Sequence, residues 1–335
     1  MIKSDGDDHQ VIKIIDRTLS CLDDFSVDVH TLKQILTLLL KMNCDGIELS
    51  ENVYQALKPL PSAGNYLLRI DRVADMRNYP EFRAFVCEHG GVEDDSALTK
   101  EIKLRSIDGI DRLRCSSPLY KTRISGLDDA LLYDYSDAFQ KLKNNFAGPI
   151  EFCPMNRLHC ATGIATEWAL VTDNAEIVTS FGSLGDYTSL EELTMTLCLH
   201  HRFTNRRECR YFVKMRDLIE RVTHVPFSKH KAVIGRDIFQ VESGIHVDGI
   251  RKNPRCYEPY SPELVGQTRE IVLGKKSGKA SLAWKLEQLH LQVDEQLLPR
   301  ILQKVKQLGA RKNGRVNDRE FIRIVNQVTQ TGCTN

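Results

Sequence analysis

Eight short β-like runs, most of them separated by stretches with helical spacing, fill residues 11–181 and constrain the fold more than any other feature. They are "VIKII" (11–15), "GIEL" (46–49), "YLLRI" (66–70), "FRAFV" (82–86), "EIKLRSI" (101–107), "KTRIS" (121–125), "PIEFC" (149–153) and "EIVTSF" (176–181). The first is β-branched without clean alternation, as a strand covered on both faces would be. Between the runs, "VHTLKQILTLLLKM" (29–42) sets Leu32, Ile35, Leu36, Leu39 and Leu40 at helical spacing. Further helices are expected at 134–146, 160–172 and 188–201. Eight strands with crossovers predict an α/β chain folded as a parallel (β/α)8 barrel of the TIM type.

The lengths are strained for that fold. Residues 12–200 fall below the roughly 200 residues at its lower end. The stretch 71–120 has room only for stunted helices, and Gly90-Gly91 and Pro118 break it. The barrel is therefore expected to be shortened and degenerate, with an open α/β sheet as the alternative. Beyond residue 203 the texture changes. "RRECRYFVKMRDLIERV" (206–222) is expected to be a helix with Tyr211, Phe212, Met215, Leu218, Ile219 and Val222 on its inner stripe, and 223–280 is irregular and rich in Gly, Pro, His and Lys. "SLAWKLEQL", "EQLLPRILQKVKQLG" and "NDREFIRIVNQV" then make a helical tail, the last with Asn317 or Asp318 as N-cap. The expected division is a barrel over 1–205 and a mainly helical module over 206–335.

Composition excludes several classes of partner. Lys and Arg number 46 against 45 Asp and Glu, a net charge of +1, so the balance implies no polyanion partner and nucleic-acid binding is not expected. No apolar run approaches the roughly 18 residues a membrane span needs. The first ten residues, "MIKSDGDDHQ", are polar and acidic, unlike an export signal. Ten cysteines without C-x-x-C spacing read as reduced thiols, mostly small buried hydrophobes. The expected location is the cytoplasm.

Three stretches gather residues able to do chemistry. In "FQVESGIHVDGIRKNPRCYEPYSPELVG" (239–266), Glu242, His246, Asp248, Tyr257 and Glu258 crowd around Gly244 and Gly249. A histidine among carboxylates suits proton transfer near neutral pH, while a capped helix start with a structural histidine explains the same letters. "VLGKKSGKASL" (272–282) sets Lys275, Lys276 and Lys279 ahead of a helix, which suits an anion or simply a solvated basic turn. "SFGSLGDYTSLEEL" (180–193) carries Gly182 and Gly185 between a strand and a helix start, and turning a corner is its default role.

These three stretches, in this order, resemble the homocitrate synthase and isopropylmalate synthase family. The family consists of acyl-CoA condensing enzymes on a metal-dependent (β/α)8 barrel. "ESGIHVDGIRKNPRCYEPYSPELVG" followed by "VLGKKSGKASL" is similar to its nitrogen-fixation branch. The resemblance implies that Glu242, Gly244, His246, Asp248, Gly249 and Tyr257 keep family positions, and that "GIEL" keeps Glu48. It is weak over 71–120.

The departures fall where the family's metal chemistry lives. On the first motif, "D-T-T-L-R-D-G-E-Q", this chain reads "DRTLSCLDD", with Ser20 for the catalytic arginine and Cys21 for the ligating aspartate. "EFCPMNR" falls on "E-x-H-x-H-N-D", so Cys153 and Met155 replace both histidines, and Gly182 replaces the asparagine of "N-G-L-G". Hard oxygen and imidazole donors suit Mg, Mn or Zn, and two thiols with a thioether do not. No metal or other cofactor on this chain is therefore expected. Cys21, Cys153 and Met155 as a soft-metal site is a further alternative to simple loss of the ligands.

The resemblance accordingly implies a split, two-component enzyme. An alpha-type subunit would bear the divalent metal on its barrel, and an omega-type chain, which this sequence resembles, would supply the carboxy-terminal module in trans. Implied catalytic candidates are His246, Glu242 and Tyr257, with Glu48, Thr179 and Asp248 for substrate. The implied substrates are acetyl-CoA and a 2-oxo acid, 2-oxoglutarate in the branch resembled. The alternative is a catalytically inactive paralogue that regulates or scaffolds a related synthase.

Overall fold

The computed structural model describes residues 11–88, 95–113, 121–146, 148–200, 203 and 207–332. Gly90-Gly91, Pro118 and the acidic first ten residues, all singled out above, lie outside them. The chain divides into two compact units, one running to Ser228 and including Ala232–Ile234, the other Lys229–Lys231 with everything from Gly235 onward.

In the first unit the eight strands are β1 (Lys13–Asp16), β2 (Gly46–Leu49), β3 (Tyr66–Arg69), β4 (Phe85–Cys87), β5 (Leu98–Leu104), β6 (Lys121–Gly126), β7 (Ile150–Pro154) and β8 (Glu176–Thr179). They form a closed barrel in chain order. β1 runs parallel to β8, with Lys13 opposite Glu176 and Asp16 opposite Thr179, so the open-sheet alternative falls. β5 begins earlier than expected, because polar Thr99 and Lys100 pair with Val86 and Cys87 of β4 and continue the ladder.

Side chains alternate across each strand. Inward-pointing Ile15, Leu67, Val86, Cys153 and Val178 make one apolar layer. On the outer face, Phe152 packs 4.8 Å from Trp168 and 5.6 Å from Phe139, ring centre to ring centre. Those two rings belong to the covering helices.

Among the described residues, seven α-helices belong to this unit: α1 (Thr18–Cys21), α2 (Val29–Lys41), α3 (Glu51–Leu57), α4 (Tyr135–Asn145), α5 (Ala161–Val171), α6 (Leu190–Leu199) and α7 (Phe212–Thr223). α2 begins where Asp28 accepts the Thr31 N–H at 3.0 Å, and α3 where Ser50 accepts that of Val53. Between β3 and β6 the described connections hold only single 3-10 segments, Val73–Asn78 and Ile107–Arg112, the stunted helices expected from the spacing. α7 buries Phe212, Met215 and Ile219, with the Phe212 ring 6.2 Å from that of Phe181. That packing carries the barrel's unit past residue 205.

The second unit holds a parallel pair, β9 (Gln240–Val241) and β10 (Glu270–Ile271), and four helices. These are α8 (Gly244–Lys252), α9 (Lys279–Gln288), α10 (Leu298–Lys312) and α11 (Asp318–Gly332). Leu282, Leu286, Ile301, Val305, Phe321 and Val328 close its own apolar core. Among the described residues no helix is long and apolar enough to cross a membrane.

Candidate functional site

The mouth of a parallel barrel, where strands deliver their C-terminal ends, is the place to look for chemistry. Here it is filled by charge. Arg123 of β6 is fully buried and pairs with both Glu48 of β2 and Glu151 of β7. Arg69 of β3 donates to Glu48 at 2.8 Å and to Glu101 of β5 at 2.5 Å. Arg17, just past β1, lies 3.6 Å from Glu48 and 3.8 Å from Glu101, with its guanidinium carbon 3.9 Å above the Tyr187 ring. Ser20 donates a hydroxyl to Glu48 at 3.1 Å, and Ser125 donates one to Glu101.

The electrostatics follow from this pairing. Burial alone would raise the Glu48 carboxyl, yet Arg123, Arg69 and Arg17 together hold it well below the usual carboxylate range. Glu101, against the same burial, is held at about 2 by Arg69, Arg123 and Arg17. Glu48, expected to contact substrate, thus has both oxygens engaged by the chain's own donors. Thr179 is fully buried, and its hydroxyl donates to Asp16 at 3.3 Å. Burial lifts the Asp16 carboxyl to about 7, against hydrogen bonds from Thr18 and Thr179 that lower it.

The resemblance implies a divalent ion at this mouth in the family, and the donors present here do not fit one. Cys153 belongs to the apolar layer of the barrel interior. Burial pushes the Cys21 thiol up to about 12, against the pull of Arg17, and raises that of Cys153. Met155 meets Tyr187 through a backbone bridge. Among the described residues, no set of three or more His, Cys, Asp or Glu is placed to hold an ion. What persists is the frame: Asn156 accepts the Ala161 N–H at the start of α5 and donates to Ser183 at 3.0 Å, while Arg157 clasps Asp128 at 2.5 Å.

The second unit carries the other candidates. His246 lies in the first turn of α8, exposed, with its ring centre 5.8 Å from that of Tyr257. A side chain at Gly249 would collide with the Tyr257 ring, 2.3 Å from where its Cβ would sit. Glycine there lets the tyrosine lie against α8 beside the histidine. The loop bearing Tyr257 is held by Glu258, which Arg269 grips twice, at 2.5 and 2.6 Å.

Glu242 faces a different task. Its carboxylate accepts the backbone N–H of Lys276 at 2.7 Å, and its carbonyl accepts the Ser281 hydroxyl at 3.1 Å. The acid thereby fastens the start of α8 to the basic turn before α9. Gly244 and Gly278 meet there, with room for no Cβ at Gly244, which would lie 2.6 Å from the Gly278 Cα. Asp248 pairs with Lys252 one turn on, at 2.7 Å and largely in water. Of the four candidates in this unit, His246 and Tyr257 come together; Glu242 braces, and Asp248 is a surface charge.

Sequence reasoning passed over Arg17, Arg69, Glu101, Arg123 and Glu151. A signal was present. Barrel strands covered on both faces should read nearly continuously apolar, and "YLLR", "LTKEIKL", "KTRISG" and "IEFCP" each interrupt that with a charge.

Comparison with known proteins agrees with the motifs. Residues 233–313 match the family described as "Homocitrate synthase post-HMGL domain-like". Over 342 residues, 95% of this chain and 96% of the other, the sequence is 27% identical to "Homocitrate synthase, omega subunit" of Clostridium pasteurianum. It is 30% identical over 259 residues to "Homocitrate synthase AksA" of Methanothermobacter thermautotrophicus, covering 74% of this chain and 61% of that one. A 92-residue stretch is 44% identical to "Probable 2-isopropylmalate synthase" of Ignicoccus hospitalis, 28% of this chain and 23% of that one. By sequence, therefore, the chain is similar over nearly its whole length to members of the homocitrate synthase and isopropylmalate synthase family, and its residues 233–313 match that family's post-barrel domain.

Proposed function

We propose that this chain is one subunit of a two-component homocitrate synthase, a cytoplasmic acyltransferase that joins acetyl-CoA to 2-oxoglutarate, and that it does not turn over alone. Its module would act in trans on the barrel of a metal-bearing alpha-type subunit, and the product would serve nitrogenase cofactor assembly. The observation that carries this reading is the contrast between the two units. The chain's own barrel mouth is occupied by paired arginines and glutamates, whereas His246 and Tyr257 stand exposed on a braced loop and helix. Full-length similarity to a protein named as an omega subunit supports it.

In this reading the partner supplies the divalent ion that polarises the 2-oxo group. His246 moves a proton during the condensation, Tyr257 orients its ring, and Glu242 keeps the helix start in place. General acid–base assistance of that kind contributes roughly 10²–10⁴-fold in rate.

The test compares the chain alone, the chain with an alpha-type subunit that keeps the metal motifs, and the same mixture carrying His246→Ala. No turnover is expected alone, and turnover in the mixture. A loss of roughly 10²-fold or more is expected with His246→Ala, while co-elution of the two chains is unchanged. Turnover by the lone chain would refute the proposal. An active mixture indifferent to His246→Ala would leave the scaffolding paralogue as the better reading.

A further inference from the structure

The barrel mouth that fits no divalent ion holds a cation of another kind. Arg17 is only 7% exposed. Its guanidinium sits between Glu48 and Glu101 and against the face of the Tyr187 ring, within electrostatic reach of Cys21 and Cys153, two of the residues at family ligand positions. The resemblance places a threonine of "D-T-T-L-R-D-G-E-Q" at this position, so Arg17 is a departure from that motif.

We propose that the Arg17 guanidinium is the resident cation of this barrel, standing in the region where relatives bind a metal and making the interior electrically complete without one. The carboxylates are already matched by the chain's own cations. Arg17, Arg69 and Arg123 face Glu48, Glu101 and Glu151, and Lys121 also reaches Glu151 at 3.3 Å and bridges to Glu176, which Lys13 pairs as well, so the connected set holds five cations and four anions. A divalent ion added to that set would leave buried charge uncompensated, which the low-dielectric interior penalises heavily.

Arg17 is held less tightly than the other two. Its nearest carboxylate oxygens lie at 3.6 and 3.8 Å, and its Nε and Nη1 have no hydrogen-bond partner. Charge and stacking on Tyr187 keep it there, so a positive charge at this spot matters more than the detail of its hydrogen bonds. The inference stands on the barrel alone and does not need the two-component reading: a chain that never meets a partner would show it equally.

The experiment uses the full chain. Metal content is measured on protein purified without chelator, and thermal midpoints are compared for the wild type, Arg17→Lys and Arg17→Met. The wild type should carry no stoichiometric Mg, Mn, Zn or Cu, and its midpoint should not move with added Mn²⁺. Arg17→Met, which leaves two buried glutamates short of a cation, should lose roughly 10 °C, and Arg17→Lys distinctly less. If neither variant folds, Arg17→Gly is refolded with methylguanidinium or with neutral methylurea, and only the former should raise the yield. Stoichiometric metal on the wild type overturns the proposal. So does a Met variant as stable as the Lys variant, or equal rescue by the neutral compound.

Discussion

Asp16 and Glu101 pull the stability of the barrel in opposite directions as pH changes. Glu101 is held at about 2, below its unfolded value, so its contribution is complete above about 4.3 and is lost as pH falls toward 2. Glu48, held low by the same arginines, adds to that acid limb. Asp16 has the reverse sign. Its folded value of about 7 exceeds the unfolded one, so the native state keeps a proton that the unfolded chain releases, and stability falls as pH rises from about 4 to 7. The full swing is on the order of 4 kcal/mol. Denaturant unfolding followed from pH 3 to 8 should therefore show a maximum near pH 5. Asp16→Asn, which can still accept from Thr18, should flatten the limb above pH 5 and leave the acid limb intact. A neutral-side limb unchanged in Asp16→Asn would assign it elsewhere. At this scale Glu48 and Thr179, two of the three substrate candidates that the resemblance implied, hydrogen-bond within the chain to Arg69, Arg123 and Asp16. A one-dimensional reading shows that a carboxylate is present but not which arginine, 21 or 75 residues away, has taken it.

Elements were far more legible. "GIEL" is a strand over the residues expected, and the helices foreseen at 29–42, 134–146 and 160–172 differ from those found by about one residue at each end. The reason is physical: periodicity and caps such as Asp28 act locally, within one turn. The loops of the second unit were not legible, because their shape depends on contacts between distant segments. Glu242 is the clearest case, reaching 34 residues along the chain to the backbone of Lys276. Glu242→Ala should free the turn before α9 and cost the second unit about 1–3 kcal/mol. Glu242→Gln keeps an oxygen for the Lys276 N–H and should lose much less. Hydrogen exchange at the Lys276 amide reads this directly, fast in the alanine variant and near wild type in the glutamine one. Equal protection in all three proteins would remove the bracing role. A glutamine variant that stays protected yet cannot support turnover in the two-chain mixture would return Glu242 to proton transfer.

The whole molecule is two cores of opposite charge. Residues 1–228 hold 27 Lys and Arg against 34 Asp and Glu, while 229–335 hold 19 against 11, an asymmetry hidden in the overall balance of +1. Each unit has its own apolar centre, so each should lose stability by itself. Phe321, fully buried among Leu282, Ile301 and Val328, makes the test. Phe321→Ala should cost about 3–5 kcal/mol, seen as lost exchange protection in α9–α11 with β1 and β8 unaffected. Equal loss in the barrel strands would show the two units to be one cooperative block. The sequence by itself determined the strand count, the helix positions and the family resemblance, and that resemblance implied that Cys21, Cys153 and Met155 stand at ligand positions of a metal site. Hydrophobic periodicity and motif spacing are local properties and survive in a string of letters. Only the tertiary structure decided that the barrel closes, since closure is a pairing of β1 with β8 across 163 positions. It alone decided that Arg17 and its glutamates fill the mouth, because charge compensation in a buried interior depends on which side chains meet there, whatever their distance along the chain.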